Sequence, residues 1–159
     1  MAKRTESTKK SASKIRGTFS VVLTREDNDL LRDYRYTQIM RTHNTELSLV
    51  DITDQFFDIF REEYKNNRLS SVEFRDSEKA AVVKEFRTVL GIRTEDFDLL
   101  KQYKLDHILH TGNIEFTMTQ AIQHVFEVVR QKFKAQGYAL MSRPEIVRNA
   151  EIRKRNHSK

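Results

Sequence analysis

The chain has 159 residues, 38% hydrophobic and 33% charged, with a net charge of +6, one proline, four glycines and neither cysteine nor tryptophan. This composition favours long, polar-faced helices around an economical core over a sandwich or barrel. It excludes disulfides, thiol catalysis and cysteine-held metals, and no apolar run approaches the ~18 residues of a membrane span.

Residues 1–16 form a basic tail of net charge +5. It lacks the apolar stretch of a secretory leader, so a cytoplasmic location is expected. A second basic segment, residues 137–159, has net charge +4, which leaves residues 17–136 at −3. Basic arms on a mildly acidic body suit a polyanion, and nucleic acid is the usual one.

The body contains an ungapped duplication. Asp29–Tyr64 lies over Asp98–Phe133 at a constant offset of 69, with ten of 36 pairs identical. The identities include Leu30/Leu99, Leu31/Leu100, Tyr34/Tyr103, Thr42/Thr111, Asn44/Asn113, Glu46/Glu115, Phe57/Phe126 and Arg61/Arg130. Just upstream, Glu26-Asp27 lies over Glu95-Asp96. Repeats of this kind are read as copies of one structural unit, here residues 17–66 and 86–136.

Each copy opens with a strand, Thr18–Leu23 in the first and Phe86–Ile92 in the second. Phe19, Val21 and Leu23 share one face of the first strand, and Thr18, Ser20 and Val22 the other. In the second, Thr88, Leu90 and Ile92 face inward, and Arg87, Val89 and Gly91 outward. A helix follows over Arg25–Thr42 and Thr94–Thr111, with the acidic pair in its first turn. Leu30, Leu31, Tyr34, Ile39 and Met40 form its apolar side. After a short turn, Ser48 and Thr117 start a second helix. Asp51 and Gln120, three residues on, complete capping boxes, and Leu47 and Phe116 are placed to staple the entry. Ile52, Phe56, Ile59, Phe60 and Glu63 make one stripe, and Ile122, Val125, Phe126, Val129 and Phe133 the other. Residues 67–85 read as a linker with a short helix at Ser77–Glu85. Residues 144–159 have helical spacing at Ile146, Val147, Ala150 and Ile152.

One copy cannot bury its own apolar surface, whereas two can do so together. The predicted fold is mainly α: two short strands pair as an intramolecular antiparallel ribbon above four core helices, with accessory linker and C-terminal helices. Thr18–Leu23, Leu30-Leu31, Tyr34, Ser48, Phe56-Phe57, Phe60 and their counterparts resemble, in order and pattern, the ribbon-helix-helix family of DNA-binding proteins over residues 17–136. The tandem arrangement is similar to the TraY-type accessory proteins of conjugative plasmids.

The resemblance implies sequence-specific binding of double-stranded DNA by a ribbon in the major groove. Thr18, Ser20, Val22, Arg87, Val89 and Gly91 would read bases. The amides at the second-helix starts, Ser48-Leu49 and Thr117-Met118, would meet phosphates together with Lys14 and Arg16. Two unlike strands imply an asymmetric or imperfect-repeat site. The expected species is a monomer acting as a pseudo-dimer, with several copies able to load side by side. The role implied is transfer-origin recognition in a relaxosome, with a relaxase as partner; transcriptional repression and plasmid partition use the same fold. A helical adaptor that binds protein is the alternative from a different class.

No enzyme, cofactor or metal site is expected. Asp27 and Asp29 read as carboxylates at a helix start or on a solvated face. His107 and His110 are three apart, but the first copy lacks both. No glycine-rich phosphate loop occurs.

Overall fold

The computed structural model describes residues 16–69, 74 and 82–150; for residues 16, 18–22 and 82–88 the backbone alone is described. The protein is mainly helical. β1 (Arg16–Thr24) leads directly into α1 (Arg25–Thr42), which is followed by α2 (Leu49–Lys65). β2 (Val82–Arg93) leads into α3 (Thr94–Thr111), which is followed by α4 (Met118–Ala135). Residues 145–150 form a last helical stretch, α5. Among the described residues, no helix is long and apolar enough to cross a membrane.

The helix ends have local causes. Thr24 Oγ1 accepts from the Asp27 amide at 3.0 Å and starts α1. The Ser48 and Thr117 side chains accept from the amides of Asp51 and Gln120, both at 3.1 Å, and both reciprocal bonds are made. α1 stops at His43 and α3 at Gly112, each in the left-handed conformation. The turns that follow are built alike. Thr42 and Thr111 hydroxyls accept from the amides of Asn44 and Asn113 at 3.2 Å, and the two asparagine side chains accept from the amides of Glu46 and Glu115 at 3.1 Å.

β1 and β2 pair antiparallel as a two-stranded sheet. Arg16 stands across from Arg93, Thr18 from Gly91, Ser20 from Val89 and Val22 from Arg87, with a bulge between Val22 and Thr24. Such a ribbon is marginal alone and gains its stability from the helices beneath it. Leu23, Leu90 and Ile92 are buried in one core with Leu31, Ile52, Phe56, Phe57, Phe60, Leu100, Ile122, Val125, Phe126 and Val129. That core belongs to both copies: Phe56 meets Phe126 edge to face at 5.4 Å, and Tyr34 stacks on Phe133 at 4.9 Å.

Three expectations are corrected. Residues 82–85, assigned to a linker helix over Ser77–Glu85, are strand, because pairing continues past the bulge to Thr24 and Val82; residues 77–81 lie outside the described set. Met40 is 46% exposed, and α1 buries Thr37 instead. Asp27 stands at the start of α1, as expected, and is buried there. The C-terminal basic segment is in part a strap along α1: Arg143 is buried, its Nε donating to Asp33 Oδ1 at 2.7 Å and its Nη2 to Asp29 Oδ1 at 2.8 Å. Arg41 donates to the Ala139 carbonyl at 2.9 Å further along the same strap.

Candidate nucleic-acid interface

The strand period sorts the ribbon into an inner and an outer face. Leu90 and Ile92 are buried, whereas Val89, next to Leu90 and of the opposite strand parity, is 62% exposed. The register puts Thr18, Ser20 and Val22 directly across from Gly91, Val89 and Arg87, so the six expected base-reading positions occupy three consecutive rungs of one face. At Gly91 a Cβ would meet Val50 Cγ2 at 3.6 Å. The first turn of α2 therefore stands beside the outer face at the Thr18/Gly91 rung.

Both second-helix N-termini are exposed at their caps, Ser48 and Thr117. The capping boxes satisfy the amides at the cap and three residues on. Helix geometry leaves the amides of Leu49 and Val50, and of Met118 and Thr119, without partners inside their own helices. They carry the positive end of each helix dipole. Arg16 lies on the outermost rung of the ribbon, opposite Arg93; Lys14 lies outside the described residues.

Beneath the ribbon, two ion-pair clusters join the copies crosswise. Arg130 Nη2 of the second copy donates to Asp27 Oδ1 of the first at 2.6 Å, and Arg61 of the first donates to Asp96 of the second. These are the same pair of repeat positions with the copies exchanged, as a two-fold axis requires. Burial pushes the Asp27 carboxyl above its usual range, although Arg130 pulls it back. The second cluster contains Arg93 where the first has Thr24. Arg93 bonds Asp96 at 2.5 Å and Asp58 at 2.6 Å, with Asp54 3.5 Å away. Burial disfavours its charge, but the hydrogen bonds to Asp96 and Asp58 prevail and keep the guanidinium firmly cationic. The position corresponding to Asp54 is Gln123, so the arginine and the extra carboxylate occur together on facing elements of one cluster. Arg93 was not singled out by the sequence; its signal is a basic residue at a helix N-cap, where the dipole alone would disfavour it.

A second divergence surrounds His124. Its Nδ1 shares a hydrogen bond with Tyr103 Oη at 2.7 Å, and its ring stacks on Phe74 at 3.8 Å. Burial, with His107 nearby, lowers its pKa to about 3. The first copy solves the same position with Gln55, whose Oε1 accepts from Tyr34 Oη at 3.1 Å. His107 and His124 have ring centroids 5.3 Å apart. Among the described residues, no group of three or more histidines, aspartates or glutamates is disposed to hold a metal ion.

No family model matches the chain, and neither a curated protein nor a solved structure does. The internal symmetry therefore has to speak for itself. Ser20 and Val89, paired on the central rung of the ribbon, are 69 positions apart, which is the offset of the sequence duplication. The axis relating the two copies passes through that rung.

Proposed function

We propose that the protein is a tandem ribbon-helix-helix DNA-binding protein that lays the β1–β2 ribbon in the major groove and reads bases from its outer face. The observation that carries this reading is the central rung. Ser20 and Val89 lie on the axis of the repeat, Val89 is largely exposed, and Leu90 beside it is buried. A two-stranded ribbon held on a helical platform, with Val89 exposed on its outer face, has the width and side-chain spacing of a major-groove reader. The capped starts of α2 and α4 add anion-binding amides, one of them beside the ribbon. None of the six reading positions is a carboxylate. The basic residues outside the body add a salt-dependent, sequence-independent attraction.

Because Ser20 faces Val89 and Val22 faces Arg87, the two half-sites read differ, and the target is an asymmetric or imperfect repeat. The role that suits such a reader is that of a cytoplasmic accessory factor of plasmid transfer, marking a transfer origin for a relaxase. Repression of its own operon or plasmid partition would use the same contact.

The test is gel retardation of random duplex over a salt series, followed by nuclease footprinting on DNA flanking the coding sequence. Salt-sensitive retardation and a discrete protected, non-palindromic segment are expected. Absence of retardation at low salt would overturn the reading.

A further inference from the structure

The two copies differ in what they present along the first helix. On α3, Phe97, Lys101, Lys104, Leu105 and Ile108 recur at helical spacing on one side, and Met118 from the start of α4 closes a groove of about 410 Å³. Leu105 is 49% exposed. At the matching positions α1 has Asn28 and Tyr36 in place of Phe97 and Leu105, and its two cations there are tied down: Arg32 Nε donates to Asn28 Oδ1 at 3.1 Å, and Arg35 Nε donates to the Leu47 carbonyl at 2.8 Å. Leu100 and Tyr103 are the buried apolar side chains of α3, and Phe97, Ile108 and Met118 pack against the core from its edge, so the floor is open chiefly at Leu105.

We infer that this groove is a docking site for an acidic amphipathic helix of a partner protein. Its apolar floor runs from residue 97 to 108, roughly three helical turns, which matches the anchors of a helix laid in a groove. Its rim is positive. Lys101 sits over the Phe97 ring at 5.0 Å, with Asp98 as an exposed neighbour 3.8 Å away, and Lys104 stands one turn on. An occupant with leucine or phenylalanine on one face and glutamate on its flanks complements both features.

The test uses the full chain with labelled methyl groups, titrated with a helix-forming peptide of about 16 residues that has leucines on one face and glutamates flanking them. A second peptide replaces the glutamates with lysines. The acidic peptide is expected to shift the Leu105, Ile108 and Met118 methyls. Lys101→Glu with Lys104→Glu should weaken it at least about tenfold and reverse the preference between peptides. Leu105→Glu should abolish binding, whereas Tyr36→Glu at the matching position of α1 should not. Four outcomes would overturn the inference. Shifts could be absent or spread over both copies. The two peptides could bind equally. The same methyls could move with protein concentration alone, which would mean that a second copy covers the groove. The double lysine reversal could weaken duplex DNA retention while leaving peptide binding intact, which would make the lysines phosphate contacts.

Discussion

Lys132 Nζ donates to Glu63 Oε2 at 3.2 Å, and the two residues hold the same position in the two copies, 69 apart. A position that touches its own counterpart lies on the symmetry axis. In a pair of identical chains it would meet a like charge; joined in one chain, the two were free to become opposite. Glu63→Lys should therefore destabilise the fold by about 1 kcal/mol or less, as expected for a half-buried pair. The exchange Glu63→Lys with Lys132→Glu should recover only part of that loss, because Arg68 Nη2 also pairs with Glu63 Oε2, at 2.8 Å. Urea denaturation of the three variants checks both statements, and no recovery would show that the contact is incidental.

Asp27 and Arg130 carry more of the fold. Removing the guanidinium with Arg130→Met leaves a buried carboxylate facing Glu127 without its cation, and a loss of ~3 kcal/mol is expected. Asp27→Asn together with Arg130→Gln should cost less than the two single changes added, with a coupling of about 1–3 kcal/mol in a double-mutant cycle. Additive losses would show that the crosswise pair does not act as a unit.

His124 makes the fold acid-sensitive in a defined window. Its folded pKa, about 3, lies below the ordinary 6.5, so the unfolded chain takes up the proton first. The stability it confers is complete above pH 6.5 and falls as the pH drops from there toward 3, by up to about 1.4 kcal/mol per pH unit. His124→Gln copies the first repeat's solution and should flatten this part of the curve. Thermal melts of both proteins between those limits would decide it; parallel curves would show that His124 is protonated without penalty.

The ribbon reading separates stability from recognition. Val89→Glu alters an exposed side chain and should change stability by no more than about 0.5 kcal/mol, yet it places a carboxylate on the central rung and should remove retention of duplex DNA. Arg87→Ala should cost roughly 1–3 kcal/mol of specific binding and far less of non-specific binding. Equal losses on both would assign Arg87 to phosphate.

At the end of α1, His43 adopts φ 61° where its counterpart Gly112 adopts φ 76°. His43→Gly should therefore be neutral or stabilise the protein by up to about 1 kcal/mol, since the strain of a left-handed side chain is relieved. A lower melting temperature would show that the imidazole makes a compensating contact.

The helix limits were legible because their signals are local and occur twice. Ser48 with Asp51 and Thr117 with Gln120 announce the second helices. The conserved Thr and Asn of both turns are explained by the amides that their side chains accept. What was not legible depends on partners far along the chain. Val82-Val83 is β-branched, but Lys84-Glu85 beside it hides that signal; the segment joins the ribbon where Val82 pairs with Thr24 beyond the bulge. Arg143 reads as one more charge in a basic tail until Asp29 and Asp33, more than a hundred residues earlier, neutralise it. Arg93 likewise makes sense only beside Asp54 and Asp58 of the other copy. Among the expected interface positions, the pairing of the strands followed from the duplication, whereas the approach of Val50 to Gly91 required the packing of α2.

The single core shared by β1, β2 and the four main helices has a consequence for dosage. An obligate two-chain assembly comes apart on dilution, and its folded fraction depends on how many protomers are present. Here every molecule brings its own other half. The folded species should rise in simple proportion to the amount synthesised, without a threshold, and a handful of molecules per cell would be as well formed as thousands.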